Sequence, residues 1–272
     1  ICVFLNIKFA ILHCVSYIKF KIRRKSQMEL HIVGSGSGMP VGHRSSSSFW
    51  LKNNDDVILL DCGDGTSSAL HRANLNPLEI GAIVFSHSHS DHWAGFPLLI
   101  QTFHLLRREK PLKVLASHRI VKFLKYILEM SYMWSERIGF EIVWQPIEDG
   151  KKYKFKSFSI IPHLNSHLEG YRSDLFRHPL CDIKSFSFEI LCDKTRGIYS
   201  ADIGALSDID ELLHRKAKWL LIEGMHYSVD EFKKWITKKP VEKTIITHLP
   251  PEREKADFGN VIVAQDGMTI HI

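Results

Sequence analysis

Three histidines and an aspartate lie directly after an apolar run at 82–85, and their types and spacing could hold metal ions. They are His87, His89, Asp91 and His92. Because residues two apart in an extended segment project to the same side, His87 and His89 can bind one ion. Imidazole nitrogen suits zinc, and a carboxylate beside a further imidazole can begin a second site. The pattern therefore predicts a metal-binding loop rather than a solvated turn in which Asp91 caps a helix.

The rest of the chain must position this loop, and its periodicity predicts a mixed α/β scaffold. Short β-branched or aromatic runs alternate with helical patterns from Met28 onwards. Strands are predicted at 29–33, 47–51, 57–60, 82–85, 113–115, 140–144, 155–161, 186–191, 197–200, 219–222, 244–246 and 261–264. Helices are predicted at 66–73, 96–107, 118–130, 209–214 and 229–238. These are too many strands for one simple parallel sheet, and Gln265-Asp266-Gly267 predicts a hairpin turn between the last two strand-like runs.

Residues 1–27 differ in charge from the remainder of the chain. They contain six basic residues and no acidic one, which leaves 30 of each sign in the other residues. Their apolar stretch includes Lys8, and their basic cluster follows that stretch, which is atypical of a signal peptide or a membrane-spanning helix. We therefore expect 1–27 to be a basic extension outside the fold, with a membrane anchor as the alternative. We expect 28–272 to form a single domain without stable membrane association.

The composition indicates a cellular compartment but does not determine the oligomeric state. The five cysteines form no Cys-x-x-Cys pair and no disulfide framework, which indicates a reducing cytoplasm. Cys62, at the end of an apolar strand, is predicted to be a buried core residue rather than a reactive thiol. No feature of the sequence determines the oligomeric state, and a dimer is compatible with it.

The metal-binding loop resembles the His-x-His-x-Asp-His signature of the metallo-β-lactamase superfamily. Segments 28–40 and 59–66 resemble the start of the ribonuclease Z-like and cyclic-phosphodiesterase-like branch. Ser200-Ala201-Asp202 resembles the segment that supplies a metal-bridging aspartate, and the segment around His248 resembles the one that supplies the last histidine. The resemblance spans 28–272, and it implies a four-layer αββα sandwich in a single domain.

The resemblance also implies a ligand set for two divalent ions, Zn²⁺ first, with Mn²⁺ and iron as alternatives. The implied ligands are His87, His89 and His167 at one ion, Asp91, His92 and His248 at the other, and Asp202 between them. One carboxylate has two oxygens and can span two ions. Asp61 is interpreted as an acceptor that orients a ligand histidine, with the capping of a turn as the alternative.

The third histidine of the first ion has two candidates, His163 and His167. Pro162 and the pair Asn165-Ser166 predict a loop that presents His167 after the strand ends. The Ser-His-Leu pattern at this position also resembles that of the family. We therefore favour His167 and expect His163 to line a pocket or to be structural.

Proton transfer is assigned to acids and a histidine near the metal ligands. The resemblance implies that Asp91 or Asp202 takes a proton from water. Glu223 and His226 lie about where ribonuclease Z-like enzymes carry a His-Glu-Ala-Thr segment, although Ile222 stands where its histidine would fall. Glu223 or His226 is then either the proton donor to the leaving group or a supporting residue.

The function that the resemblance implies is hydrolysis of a phosphodiester by a metal-bridging hydroxide. A small or nucleotide substrate is favoured, and an RNA 3′ end is retained as an alternative. The charge-neutral body and the lack of a Gly/Pro-rich insertion weaken RNA as the substrate. The segment 170–184 is expected to cover the site, with Arg172 as a candidate phosphate contact. A lactone or thioester hydrolase is the enzymatic alternative, and a metal-binding protein without turnover is disfavoured by the complete ligand set.

Overall fold

The structure is a computed structural model that describes residues 28–193 and 195–272. The predicted extension at 1–27 lies outside the described residues, and the domain boundaries stay a prediction. The described strands are β1 Glu29–Gly34, β2 Ser48–Asn53, β3 Asp56–Leu60, β4 Ile80–Val84, β5 Leu112–Ala116, β6 Ile142–Pro146, β7 Tyr153–Lys154, β8 Ser159–Asn165, β9 Ser185–Cys192, β10 Thr195–Tyr199, β11 Ala217–Glu223, β12 Val241–Thr247, β13 Ile262–Val263 and β14 Thr269–His271. The helices are α1 Thr66–Arg72, α2 Ser90–Trp93, α3 Phe96–Leu105, α4 His118–Met130, α5 Ser135–Ile138 and α6 Val229–Ile236.

The strands form two seven-stranded sheets of mixed direction. The first has the order β14-β1-β2-β3-β4-β5-β6, and the second has the order β13-β12-β11-β10-β9-β8-β7. In each sheet one half is antiparallel and the other is parallel. The parallel strands β4 and β11 are buried along most of their length, which explains their nearly continuous apolar sequences.

Three hydrophobic clusters produce four layers. The largest cluster lies between the sheets and includes Phe49, Phe188 and Trp219. A second cluster packs α1, α3 and α4 on the outer face of the first sheet, and a third packs α6 on the outer face of the second. The predicted αββα sandwich is therefore confirmed, because each sheet buries one face on the other sheet and one on helices.

The best predicted helix is α4, whose bounds match the expected 118–130. Its buried residues Ile120, Val121, Leu124 and Leu128 recur at helical spacing, and the Ser117 hydroxyl accepts the Ile120 N–H at its N-terminus. Local periodicity and a capping side chain agree there, and the tertiary contacts do not override them.

Three predicted elements were wrong in kind or extent. The predicted strand 155–161 is instead part of a β7–β8 hairpin, because its first residues form the turn. The predicted helix 209–214 consists of two 3₁₀ turns, Leu206–Ile209 and Glu211–Leu213. The turn at Gln265-Asp266-Gly267 connects β13 in one sheet to β14 in the other, so it is not a hairpin. Gly267 has a φ of 84°, which suits any tight turn and does not specify where the flanking strands pair.

The strand ends that face one edge of the sandwich have unusual backbone conformations. Asp61 after β3, Ala201 after β10 and His248 after β12 have φ values of 56°, 48° and 55°. The left-handed region is costly for residues other than glycine, and such residues cluster at functional sites. This edge is therefore where a site is expected. Among the described residues, no helix is long and apolar enough to cross a membrane.

Candidate metal centre

The seven ligands predicted from the sequence meet at this edge. They are His87, His89, Asp91, His92, His167, Asp202 and His248. The first follows β4, the next three lie in or beside the short helix α2, and the last three follow β8, β10 and β12. Both sheets therefore contribute donors, and the site depends on the packing of one sheet against the other.

The first group of donors comprises His87, His89, His167 and Asp202, and their ligand atoms all lie within 4.8 Å of one another. Nε2 of His167 is 3.1 Å from Nδ1 of His89. Oδ2 of Asp202 is 3.7 Å from Nε2 of His167 and 4.0 Å from Nε2 of His87. Three imidazoles and a carboxylate form a donor set that suits zinc.

The second group comprises Asp91, His92, Asp202 and His248, which satisfy the same distance limit. Nε2 of His92 is 3.4 Å from Oδ1 of Asp202 and 3.5 Å from Oδ2 of Asp91. Nε2 of His248 is 3.3 Å from Oδ2 of Asp202 and 3.7 Å from Oδ2 of Asp91. Asp202 belongs to both groups, as the bridging assignment requires.

Several donor atoms are buried without a hydrogen-bond partner, and this observation tests whether the residues fit metal ions. The atoms are Nε2 of His87, Nε2 of His92 and Oδ1 of Asp202. A buried polar atom without a partner costs about 1 to 3 kcal/mol, so such atoms usually have a ligand, a water or a strained role. Their convergence on two compact groups fits two divalent ions.

The electrostatics also suit cations. Burial lowers the pKa of His87, His89 and His167, the last to about 4, so these imidazoles are neutral near pH 7 and able to bind metal. For His92, burial opposes protonation, but the carboxylates of Asp202 and Asp61 raise the pKa above its usual value. The second group therefore lies in a negative field that attracts positive charge.

Asp61 occupies the position predicted for an orienting acceptor. Its Oδ2 lies 2.8 Å from Nδ1 of His92 and accepts the hydroxyl hydrogens of Ser86, at 2.8 Å, and of Tyr199, at 2.6 Å. The backbone N–H of Ser86 donates to its Oδ1. The carboxylate is fully buried, and these contacts fix the ring of His92 with Nε2 directed into the site.

The helix α2 is held against the turn that follows β3. The N–H of Cys62 donates to the carbonyl of His92 at 2.8 Å, and the N–H of Gly95 donates to the carbonyl of Cys62 at 3.0 Å. A side chain at Gly63 would approach the carbonyl oxygen of Asp91 to 2.1 Å, so only glycine fits there. Cys62 is buried, as predicted, and burial raises the pKa of its thiol.

Asp208, which the sequence did not single out, connects two ligand loops. Its carboxylate accepts the N–H and the hydroxyl of Ser166, at 3.1 and 2.9 Å, and the N–H of Gly204 at 2.9 Å. Ser166 precedes His167, and Gly204 lies two residues after Asp202. Asp208 therefore holds together the two loops that supply half of the first group.

Ser47 and Tyr199 were also missed, because their contacts join residues of different sheets. Ser47 contacts Nδ1 of His248 at 2.9 Å across 201 residues of sequence. Tyr199 also reaches across the sheets, to Asp61, whereas Asp208 joins two loops of one sheet. Ser86 could have been found, because it immediately precedes His87 and lies 3.0 Å from Nδ1 of that ring.

Glu223 and His226 lie beside the ligands but outside both groups. Glu223 is buried, with one carboxylate oxygen 3.2 Å from Nδ1 of His226 and the other accepting the His226 N–H at 3.1 Å. The His226 ring is 4.8 Å from the ring of His167. Burial alone would lower the pKa of His226, but the adjacent Glu223 raises it above its usual value. This geometry suits a proton donor that is oriented by an acid.

Arg253 fixes the loop that carries His226. One guanidinium nitrogen donates to the carbonyls of Gly224, Met225 and Tyr227 at 2.9, 2.9 and 2.6 Å. This single side chain therefore satisfies most of the carbonyls in that turn.

The remaining candidates lie farther out. Nε2 of His163 is 3.8 Å from Glu189, and His163 belongs to neither donor group, whereas His167 does. Arg172 lies on the 3₁₀ segment Glu169–Arg177 and makes two 2.7 Å hydrogen bonds to Glu169 at the surface. Its role as a phosphate contact stays a prediction.

The chain is similar in sequence to one protein family and to several curated proteins. A family model described as Anti-Pycsar protein Apyc1 matches residues 28–259. A ribonuclease Z from Treponema denticola is 32% identical over 156 residues, which cover 56% of this chain and 50% of that protein. One from Thermococcus kodakarensis is 33% identical over 115 residues, which cover 42% and 36%. The chain thus spans half or less of the length of these curated relatives.

Solved structures share the architecture over nearly the whole chain. Human tRNase Z, short form (ELAC1), gives a TM-score of 0.71 at 19% identity and covers 89% of this chain and 98% of its own. The metallo-β-lactamase fold protein YhfI from Bacillus subtilis gives 0.71 at 17% identity, with 91% and 100% covered. The metallo-β-lactamase fold inferred from the sequence is confirmed, and the partial matches to proteins named ribonuclease Z support the resemblance to that branch.

Proposed function

The chain belongs to the Anti-Pycsar Apyc1 family, and from this membership and the geometry of its donor groups we propose that it is a metal-dependent phosphodiesterase. The observation that carries the proposal is the pair of four-residue groups that share Asp202. Enzymes that cleave phosphate esters often use two ions about 3.5 to 4 Å apart, and one shared carboxylate suits that arrangement.

The residues that would hold the ions follow from the two groups. One Zn²⁺ would be held by His87, His89, His167 and Asp202, and a second by Asp91, His92, His248 and Asp202. Mn²⁺ or iron would suit the same mixture of imidazole and carboxylate ligands. When bound, such ions supply Lewis acidity that makes water a nucleophile near neutral pH and polarises a phosphoryl oxygen.

The chain's own residues orient the reaction and move its protons. Asp91 and Asp202 direct carboxylate oxygens into the site, so either can accept a proton from the attacking water. His226 lies at the rim with 29% of its side chain exposed and can donate a proton from its free nitrogen to the leaving oxygen. Glu223 orients that ring and stabilises its protonated form.

We propose a nucleotide-sized phosphodiester as the substrate. Residues 28–272 carry 30 basic and 30 acidic residues, whereas a surface that follows a polynucleotide backbone usually has a basic excess. This balance favours a small substrate over an RNA 3′ end.

A cytoplasmic location and dimer formation also stay predictions. The described cysteines Cys62, Cys181 and Cys192 are free, which supports a reducing compartment.

Hydrolysis of bis(4-nitrophenyl) phosphate by protein reconstituted with zinc or manganese tests the proposed function. We expect turnover that a chelator abolishes and that added metal restores. Absence of turnover with two metals bound per chain would contradict the proposal, and the same preparation should then be tested with a lactone and a thioester.

A further inference from the structure

A cavity of about 690 Å³ lies beside β6, the edge strand of the first sheet, and has no role in the mechanism proposed above. Its apolar lining includes Leu128 of α4, Met133 and Trp134 between α4 and α5, and Ile142 and Trp144 of β6. A second cavity, of about 400 Å³, shares Met133 with the first. The two cavities together are called the β6 groove.

The β6 groove lies at the end of the sandwich opposite the metal centre. The strands β1, β3, β4, β5 and β6 all run in the same direction. The ligand His87 comes after the end of β4, whereas the groove residues Pro111 and Glu141 immediately precede β5 and β6. A substrate held at the metal centre therefore lies at the other end of these strands, so the occupant of the groove is a different molecule or segment.

Aromatic side chains supply much of the surface of the β6 groove. Trp134 and Trp144 are both partly exposed. Tyr132 borders the second cavity, is 71% exposed, and has its ring centroid 5.5 Å from that of Trp134. Exposed apolar surface that includes several large rings is typical of an interaction site.

The charged residues around this apolar surface are mostly acidic. Glu109, Glu129 and Glu141 line the larger cavity and are exposed, and Lys125 is the one cation beside them. In the part of the chain that the structure describes, no Lys or Arg forms an ion pair with any of the three carboxylates. The groove therefore favours an occupant that combines apolar side chains with positive charge.

We propose that residues 1–27 of the same chain bind in the β6 groove. They contain six basic residues and no acidic one, and a mainly apolar stretch precedes the basic cluster at 19–25. This composition complements a groove that has an apolar floor and an acidic rim. Because the groove lies away from the metal centre, the inference does not depend on the proposed function.

The position of Met28 brings this segment within reach of the groove. Met28 directly precedes β1, and β1 begins at the same end of the sheet as β6. The order β1-β2-β3-β4-β5-β6 gives five strand spacings of about 4.8 Å, or about 24 Å in all. About seven or eight residues cover that distance at about 3.3 Å each, so the apolar stretch and its adjoining lysines would reach the groove.

Zero-length carbodiimide cross-linking of the full chain, followed by mass spectrometry, tests the contact directly. We expect amide links from Lys19, Lys21 or Lys25 to the glutamates of the groove, and none to the exposed Glu211 and Asp230 on the outer side of the second sheet. A mixture of isotope-labelled and unlabelled protein identifies the links that form within one chain. Absence of links to the groove, or links that form only between two chains, would overturn the proposal.

Cleavage after Arg23 and Arg24 by an arginine-specific protease provides an independent test. The protease cuts the segment only while it is unbound, so the cleavage rate measures the unbound fraction. Glu129→Lys combined with Glu141→Lys replaces attraction by repulsion and should accelerate cleavage at least about fivefold. Trp134→Ala should also accelerate it, because apolar surface is lost, whereas Trp134→Phe should keep the rate within about twofold of that of the unchanged protein.

The matched control is Glu211→Lys combined with Asp230→Lys, which reverses two exposed charges away from the groove and should change the cleavage rate by less than about twofold. Unchanged circular dichroism and melting temperature would show that each variant is folded. Equal cleavage rates in the groove variant and the control variant would overturn the proposal. Cleavage of the unchanged protein as fast as that of a synthetic peptide of residues 1–27 would also overturn it.

Discussion

The two donor groups share Asp202 but differ in how firmly the fold holds them. In the second group, His92 and His248 are buried, and Asp61 and Ser47 contact their outer ring nitrogens. In the first group, His87 is buried with Ser86 3.0 Å from its Nδ1, but His89 and His167 are partly exposed. In the described part of the chain, no residue outside the group makes a hydrogen bond to the ring of His89 or His167.

This difference indicates that the two donor groups have different roles within the metal centre. The second group is preorganised by long-range contacts from both sheets, which keeps its geometry fixed. In the first group, His89 lines a cavity of about 290 Å³ together with Tyr171 of the 3₁₀ segment Glu169–Arg177, so this group lies on a more open side of the site. We therefore expect some substitutions to affect metal retention and others to affect substrate handling.

The largest effect is expected where the two groups meet. Asp202→Ala removes the only residue common to both, so we expect loss of bound metal and a fall in kcat of at least about 1,000-fold. Elemental analysis and turnover of bis(4-nitrophenyl) phosphate measure the two effects. A variant that remained active with two ions bound would contradict the assignment of Asp202 as the bridging ligand.

Asp61→Asn tests whether the hydrogen bonds of Asp61 fix the ligand geometry of the second group. An amide cannot accept from Tyr199, Ser86 and the His92 ring as the carboxylate does, so metal affinity should fall about 10- to 100-fold. Competition with a chromogenic chelator measures that affinity. Asp64→Asn, at an exposed position three residues later, is the matched control. Equal affinities in the two variants would contradict the role given to Asp61.

Asp208→Asn tests the first group in the same way. The amide would replace one acceptor oxygen that receives N–H and O–H donors from Ser166 and Gly204, and the two ligand loops should loosen. We expect about tenfold weaker binding of one ion while the other is retained. A calorimetric titration with metal distinguishes the two ions. Asp230→Asn, at an exposed position, is the control. Equal weakening of both ions would argue against independent support of the groups.

The smallest effect is expected at Arg253. Arg253→Met removes the donors that hold the loop of His226 but leaves both donor groups intact, so kcat should fall several-fold, to about tenfold, with metal content unchanged. Arg119→Met, on the exposed face of α4, is the control. Loss of metal from Arg253→Met would show instead that Arg253 supports the metal ligands.

The residues of the two donor groups could be selected from the sequence because most of them follow apolar strands in recognisable short segments. His167, which the sequence favoured over His163, lies in the first donor group, whereas His163 lies in neither group, and the loop signals at Asn165-Ser166 are local. The supporting residues Ser47 and Tyr199 carry no local signal, because their contacts arise only when the two sheets pack. Asp208 joins two loops of one sheet, and its contact with Ser166 spans 42 residues. The turn before β14 was misassigned for the same reason: its residues specify a turn but not the sheet to which the next strand belongs.

Anomalous scattering from crystals grown with zinc would test the central claim most directly. We expect two peaks per chain, one bound by His87, His89 and His167 and the other by Asp91, His92 and His248, with Asp202 contacting both. A single peak, or peaks that do not contact Asp202 in a fully loaded crystal, would contradict the shared centre on which the proposed function depends.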